Sequence, residues 1–386
     1  WIDIILLIVF PNVHPLSPSL PSVSTKLCTK SQRHGSSNLR IVAYSMSQCC
    51  SIQGSDPNRP QKVNQDASFD FTFEDRCYMW GILDGHGIKG HVLTSYLAQQ
   101  LPIRLQEELS PLLSFVKEHP HHEKDQSWNE YNAMVASIIG SSFNDSSKSQ
   151  LETAFVRAFH RVQLDAMQNP NVPSARNGAT CIVAVMLPNQ EMRNNNDNNS
   201  TLQENNRNQS NHNHSPSESS SLWLAHVGDS RAILVSRDGT FQVLTTETTT
   251  RTIRTELERI QRCEGRIDAN GNVWYGPQGI AMTRSLGNSV MLRAGIIPTP
   301  ILERNVSWKS GDLLILATDG VWEVMSNEDV VTILRGKRDD ENLATHTAVS
   351  NLAERIADEA RKRWIGDLPF VDEAKVDDIT CMIIEL

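Results

Sequence analysis

Three acids stand where apolar runs meet turns. Asp84-Gly85-His86-Gly87 follows the run Cys77 to Leu83, Asp319-Gly320 follows Leu313 to Thr318, and Asp377-Asp378 precedes Ile379 to Ile384. A carboxylate at the end of a buried strand is costly unless a counter-charge meets it. Three of them converging would be strongly destabilising without a cation between them. Taken singly, Asp84 and Asp319 read equally well as turn chemistry, because Asp-Gly is common in tight turns. The glycines after Asp84 and Asp319 let the backbone pass close to an ion, and the Gly85 carbonyl adds an oxygen donor. An all-oxygen set selects a hard cation, Mg²⁺ or Mn²⁺, over zinc. Two more acids join the pattern: Asp66 in Asn64-Gln65-Asp66-Ala67, and Asp229 in Gly228-Asp229-Ser230-Arg231, in a tight turn between two strands.

The elements that must position these acids are legible as two periods. Strand-like runs cover 181–186, 222–227, 232–236, 241–244, 279–282 and 312–318, with hairpin chemistry such as Arg237-Asp238-Gly239 between some of them. Helical stripes cover 91–108, 151–162, 253–260 and about 345–363, and Ser326 is placed to cap another. Consecutive strands with separate helices indicate an α+β fold with largely antiparallel sheets. From about 189 to 221 Asn, Ser, His and Gln dominate. Such a stretch cannot offset its ordering entropy and is expected to be a disordered insertion between paired strands 181–186 and 222–227.

With 386 residues the chain can bury a sizeable core, and its net charge of -9 excludes binding nucleic acid through a broad basic face. Seven scattered cysteines indicate a reducing compartment, cytoplasm or nucleus, and Cys49-Cys50 reads as a thiol pair in a loose terminus rather than an acylation site. The run Ile2 to Phe10 is too short to span a bilayer, and no other segment is a membrane span. Between Asp3 and Asp56 there is no acid, a composition like that of a chloroplast transit peptide. The alternative is that residues 1–45 are non-native and Met46 is the start, leaving 46–386 as the folded domain. Gly85-His86-Gly87-Ile88-Lys89-Gly90 matches a dinucleotide fingerprint, but Asp84 would face the pyrophosphate and no strand-helix-strand repeat follows. The His-rich pieces at 119–122 and 212–214 read as solvated loop residues.

Seven segments in order resemble the type-2C metal-dependent Ser/Thr protein phosphatases, and their plant members most. They are Asn64-Gln65-Asp66-Ala67, Asp84-Gly85-His86-Gly87, Gly178-Ala179-Thr180, Gly228-Asp229-Ser230-Arg231-Ala232, Ala281 to Gly287, Ala317-Thr318-Asp319-Gly320-Val321-Trp322 and Asp377-Asp378-Ile379-Thr380. Covering about residues 60–386, the resemblance implies two antiparallel sheets packed face to face with helices on the outside, and a cleft at one end. It also implies two ions: Asp84 bridging them, the Gly85 carbonyl on one, Asp319 and Asp377 on the other, and Asp66 holding a metal-bound water. A hydroxide between the ions would attack phosphoserine or phosphothreonine in line. His86 would be a general acid or orient a water, Asp229 with Asp319 would mark a weaker third ion, and Asp378 would orient its neighbour. Phosphoprotein substrates, a monomer and kinase or receptor partners belong to the same expectation.

The chain departs from the family's pattern in places. The basic residue that holds substrate phosphate is replaced by Arg59-Pro60-Gln61-Lys62-Val63, which leaves Lys62 or Arg59 to substitute. Gln65 stands where many relatives have Glu, Asn288 where Asp is expected, and Thr245 to Thr250 where an Asp and a Lys-Pro usually lead to the flap over the cleft. These changes define a rival expectation, a catalytically weak pseudophosphatase that binds a kinase or receptor. The retained acids oppose it, since a binding module has no use for mutually repelling carboxylates.

Overall fold

The apolar runs become central strands because both of their faces are buried, one under helices and the other under a second sheet. The structure, a computed structural model, describes residues 47–73, 77–113, 126–139, 149–188, 220–335, 352–366 and 374–386. In chain order they form β1 (Ser47–Ile52), β2 (Ala67–Phe73), β3 (Cys77–Leu83), β4 (Gly85–His86), α1 (Gly90–Leu113), α2 (Gln126–Ile139), α3 (Gln150–Gln168), β5 (Gly178–Ala179), β6 (Cys181–Pro188), β7 (Ser220–Val227), β8 (Arg231–Val235) and β9 (Phe241–Val243). The chain continues through α4 (Arg254–Arg262), β10 (Arg266–Ile267), β11 (Val273–Tyr275), β12 (Gln278–Ile280), β13 (Leu286–Gly287), a 3-10 helix at Ser289–Ala294, β14 (Ile301–Val306), β15 (Leu313–Ala317), α5 (Asp319–Trp322), α6 (Asn327–Arg335), α7 (Leu352–Ile365) and β16 (Ile379–Glu385).

Two five-stranded sheets, ordered β1-β16-β15-β8-β9 and β14-β7-β6-β3-β2, carry the fold. The first is antiparallel throughout, and so is the second. The period-two alternation of β15 shows how one strand serves two cores. Leu313, Ile315 and Ala317 pack with Val321, Val330 and Ile356 of α5 to α7, while Leu314 and Leu316 meet Trp80, Ile182 and Leu224 of the facing sheet. On the other side Leu93, Leu97 and Leu101 of α1 and Phe155 and Phe159 of α3 cover the second sheet. Each such side chain contributes roughly 1.5–3 kcal/mol through burial. The layers therefore run helix, sheet, sheet, helix, as the family resemblance implies.

Two expectations change. Cys49 and Cys50 do not sit in a loose terminus, because Ser47 to Ile52 pair with Ile384 to Ile379 and place Cys50 opposite Cys381. The outer ladder of β16 would otherwise be an unpaired edge. Cys50 and Ile52 pack on the helix-covered core, Cys49 on the inter-sheet core, and this half-burial opposes acylation. The expected insertion also ends earlier, since Ser220 and Ser221 extend the β6–β7 ladder to Pro188 and Leu187. Residues 189–219, residues 1–46 and both His-rich pieces lie outside the described residues.

Helix ends follow their chemistry. Ser149 and Glu152 form a reciprocal capping box on α3, and Ser326 accepts the Asp329 N–H at 3.1 Å before α6. The expected helix at 345–363 is described as Leu352–Ile365. The unanticipated α2 buries Trp128, Tyr131 and Val135, a helical spacing present in the sequence. Among the described residues no helix is long and apolar enough to cross a membrane.

Candidate metal centre

The acids meet because the turns that carry them lie at one end of both sheets. Pairing of Ala67 with Leu83 makes β2 and β3 a hairpin that sets Asp66 beside Asp84. Asp319 leaves β15 as the first residue of α5, and Thr318 N–H donates to the Thr380 carbonyl at 3.0 Å, which brings the start of β16 alongside. Thr318 Oγ1 also donates to Asp66 Oδ2 at 3.1 Å and ties one sheet to the other. Asp229 turns between β7 and β8. Arg231 braces it by donating to Glu247 at 2.9 Å and lying 5.1 Å over the Trp322 ring.

Electrostatics shows what these acids lack. Desolvation, opposed by hydroxyl donors and reinforced by Asp378 and Asp319, pushes Asp66 up to about 7. Burial raises Asp319 to about 6, with Asp229 and Asp377 adding to it, and likewise Asp229 to about 6. Asp84 rises well above the carboxylate range through burial and the charges of Asp66 and Asp319. Asp84 and Asp319 each perturb the other, so the two carboxyls lie close enough to oppose joint ionisation. Asp66 Oδ1 and Asp229 Oδ1 are buried without a hydrogen-bond partner. Among the described residues no three such side chains close on a single point as they stand. Buried, unpaired, oxygen-only donors nevertheless fit a hard divalent cation, which would offset their mutual repulsion.

The structure brings Asp66, Asp84, Asp229, Asp319 and Asp377 into one electrostatic cluster and adds an acid that sequence reasoning missed. Glu323, four residues after Asp319, is raised by burial and by Asp319 and Asp377. Its one-turn spacing from Asp319 was the available signal. Asp378 acts as an orienting residue, since it accepts Gly54 N–H at 2.7 Å and Gln65 N–H at 2.9 Å. Lys62 reaches the centre and pairs with Asp377 at 3.1 Å and Asp378 at 3.2 Å. Arg59 stays outside, 75% exposed and 3.9 Å from Asp56.

His86 is held by Asn288. Asn288 Nδ2 donates to His86 Nε2 at 2.6 Å, so the ring proton resides on Nδ1. Burial pulls the ring down to about 4, and the group is a neutral imidazole near pH 7, not an imidazolium acid. Asn288, one of the departures noted in the sequence, thus touches the centre. Its left-handed backbone, φ 45°, follows Gly287, and its Oδ1 accepts Gln278 Nε2 from β12 at 2.9 Å. Gly178 makes room for this pair, because a Cβ there would strike both Asn288 and His86. Gly85 and Gly90 lie against Gln65 in the same way, so the glycine run packs a loop and does not cradle a dinucleotide. His226, buried in β7 just before the Asp229 turn, has neither ring nitrogen paired.

A second charged cluster lies away from the acids. Glu256 of α4 takes Arg259 at 2.6–2.7 Å and Arg284 at 2.7–3.1 Å, beside a cavity of about 470 Å³ that also touches Thr299 and Arg304. Thr283 and Arg284 precede β13, which pairs with β5, and β5 pairs with β4 and its His86. This ionic cluster therefore anchors the small sheet that carries His86.

The chain matches the family model described as protein phosphatase 2C over residues 115–367, an interval that holds Asp229, Asp319 and Glu323. Probable protein phosphatase 2C 1 of Arabidopsis thaliana is 25% identical over 340 residues, covering 84% of this chain and 63% of that protein. The chain thus spans less than two thirds of that relative's length. Probable protein phosphatase 2C 72 of the same plant is 26% identical over 399 residues, 95% of this chain and 96% of that protein. The fold is similar to the crystal structure of serine-threonine phosphatase 2C from Toxoplasma gondii, with a TM-score of 0.58 and 17% identity over 88% of this chain and 94% of that chain.

Proposed function

We propose, since this chain belongs to the protein phosphatase 2C family, that it hydrolyses phosphoserine and phosphothreonine in proteins with Mg²⁺ or Mn²⁺ bound in the acid cluster. The observation that carries this reading is the pair of buried, partnerless oxygens, Asp66 Oδ1 and Asp229 Oδ1, beside Asp84, whose carboxyl burial and neighbouring acids push up. Asp66, Asp84, the Gly85 carbonyl, Asp319 and Asp377 would hold two ions, and Asp229 with Glu323 would bound a third. When bound, divalent cations supply Lewis acidity toward the phosphoryl oxygens and a more acidic water. The protein's own groups set the frame: Asp378 fixes the Gly54 and Gln65 backbones, and Asn288 fixes the ring of His86. No comparison favours the pseudophosphatase alternative. The scattered cysteines support a reducing compartment, cytoplasm or nucleus.

Hydrolysis of a phosphothreonine peptide tests the reading directly. Activity is expected with Mn²⁺, is lost with a chelator and returns on adding Mn²⁺ back. Turnover that ignores the chelator would reject the metal assignment, and no turnover with either metal would reject the enzyme.

The mouth of the site adds a prediction about substrate. Ile88 is 89% exposed and Val63 50% exposed. They flank His86 and Lys62, and their loops are joined by Gln65 Nε2 donating to the Gly87 carbonyl at 2.9 Å. Covering about half of an isoleucine contributes roughly 1 kcal/mol. Ile88→Asp is therefore expected to raise KM about fivefold for phosphopeptides with an apolar residue beside the phosphorylated one. Turnover of p-nitrophenyl phosphate, which does not reach Ile88, should be unchanged, and a parallel loss on both substrates would contradict the assignment.

A further inference from the structure

Lys62 enters the acid centre from the loop between β1 and β2. Its Nζ lies 3.1 Å from Asp377 Oδ1, 3.2 Å from Asp378 Oδ1 and 3.4 Å from the Val376 carbonyl. An ammonium has three donors, and here all three have acceptors. The side chain is 19% exposed, and its backbone is pinned by Gln53 Nε2 donating to the Lys62 carbonyl at 2.7 Å and by Lys62 N–H donating to the Arg59 carbonyl at 2.9 Å.

The two carboxylates it touches do different work. Asp378 spends both oxygens on backbone N–H groups of Gly54 and Gln65, which fix the loop. Asp377 takes the N–H of Asp378 at 2.8 Å and otherwise faces the centre, with a side chain 46% exposed. Asp377 is thus the acid available to an ion, and Lys62 already holds one of its oxygens. A cation seated there would meet a full positive charge within a few ångströms.

We propose that Lys62 is a tethered cation that competes with the divalent metal for Asp377. It neutralises that carboxylate in the metal-free protein and must be drawn off it when the ion binds. A lysine suits both tasks because its compact charge sits on a flexible stem, whereas an arginine would grip the carboxylate in a planar fork. This inference rests on the metal-dependent reading of the site.

Calorimetric titration of Mn²⁺ into the full chain, with the EPR signal of unbound Mn²⁺ as a second readout, tests it. Lys62→Met is expected to tighten the binding of one Mn²⁺ about fivefold to tenfold, and Lys62→Arg to weaken it. In an Asp377→Asn background the Met substitution should bring no further tightening, with thermal melts confirming that each variant is folded. Equal or weaker Mn²⁺ binding by Lys62→Met would overturn the proposal and make Lys62 a residue that orients Asp377 for the ion. Tightening that persists in the Asp377→Asn background would overturn the assignment to Asp377. No Mn²⁺ binding by the unaltered protein would instead overturn the reading of the site, and this proposal with it.

Discussion

Replacing Asp84 by asparagine is expected to lower Mn²⁺-dependent turnover by at least about 10²–10³-fold, the scale of losing one preorganised electrostatic contact, while making the metal-free protein more heat-resistant. Both effects have one cause. Asp84 sits among Asp66, Asp319 and Asp229, and its carboxyl is raised well above the ordinary range by burial first and by those charges second. A group whose folded-state pKa is raised holds a proton that the unfolded chain releases. Its cost to stability is absent below the unfolded value near 3.9 and grows as pH rises toward the folded value. Asparagine keeps the shape and carries no charge at any pH. The thermal midpoint of Asp84→Asn without metal should therefore exceed that of the unaltered protein at pH 7.5, with the gap closing near pH 4. Saturating Mn²⁺ should raise the midpoint of the unaltered protein and move the variant far less. A variant that melts lower than its parent at pH 7.5 without metal would show that these acids do not oppose one another.

This trade between stability and function explains what the sequence made legible. Carboxylates at the ends of runs such as Cys77 to Leu83 and Leu313 to Thr318 announce themselves, because a strand buried on both faces leaves a continuous apolar signature that stops abruptly at an acid. Asp84 and Asp319 could be read in this way, whereas the sandwich was implied by the family resemblance and is carried by both faces of β15. What stayed hidden depends on contacts between distant positions. Ser47 to Ile52 carry no long apolar run, and their place is set by the open edge of β16 more than three hundred residues later. The basic residues before Asp66 could not be ranked, because burial of Lys62 by Asp377 and Asp378 is a property of the far end of the chain. Asn288 read only as a departure from the family's pattern, yet the β4-β5-β13 sheet carries it to His86. Glu256 looked like one more charge on a short amphipathic helix. Its partner Arg284 lies 28 positions away and completes the buried ionic group.

Glu256→Gln is accordingly expected to cost about 3–5 kcal/mol, the penalty of leaving buried guanidinium charge uncompensated. Glu256 is fully enclosed, and it accepts from Arg259, Arg284 and Thr283 Oγ1. Burial would raise its carboxyl, but hydrogen bonds and charges from the two arginines outweigh it and bring the group down to about 2. Burial pulls Arg259 below its usual value, yet a guanidinium stays protonated across the accessible range, so the stabilisation is read on the carboxylate. A shift from about 4.5 to about 2 corresponds to roughly 3 kcal/mol, in agreement with the range for a broken buried pair. Because the folded pKa is depressed, this contribution is complete above about pH 4.5 and disappears as pH falls through about 2. Urea denaturation at pH 7 should show the full difference between parent and variant, and the two curves should approach each other below pH 3. The same substitution loosens Thr283 and Arg284, which lead into β13 and so to the sheet holding His86. Turnover is therefore expected to fall while Mn²⁺ affinity, set by acids on other turns, is kept. A variant as stable as the parent at pH 7 would mean that the arginines find other partners and that α4 does not anchor the site.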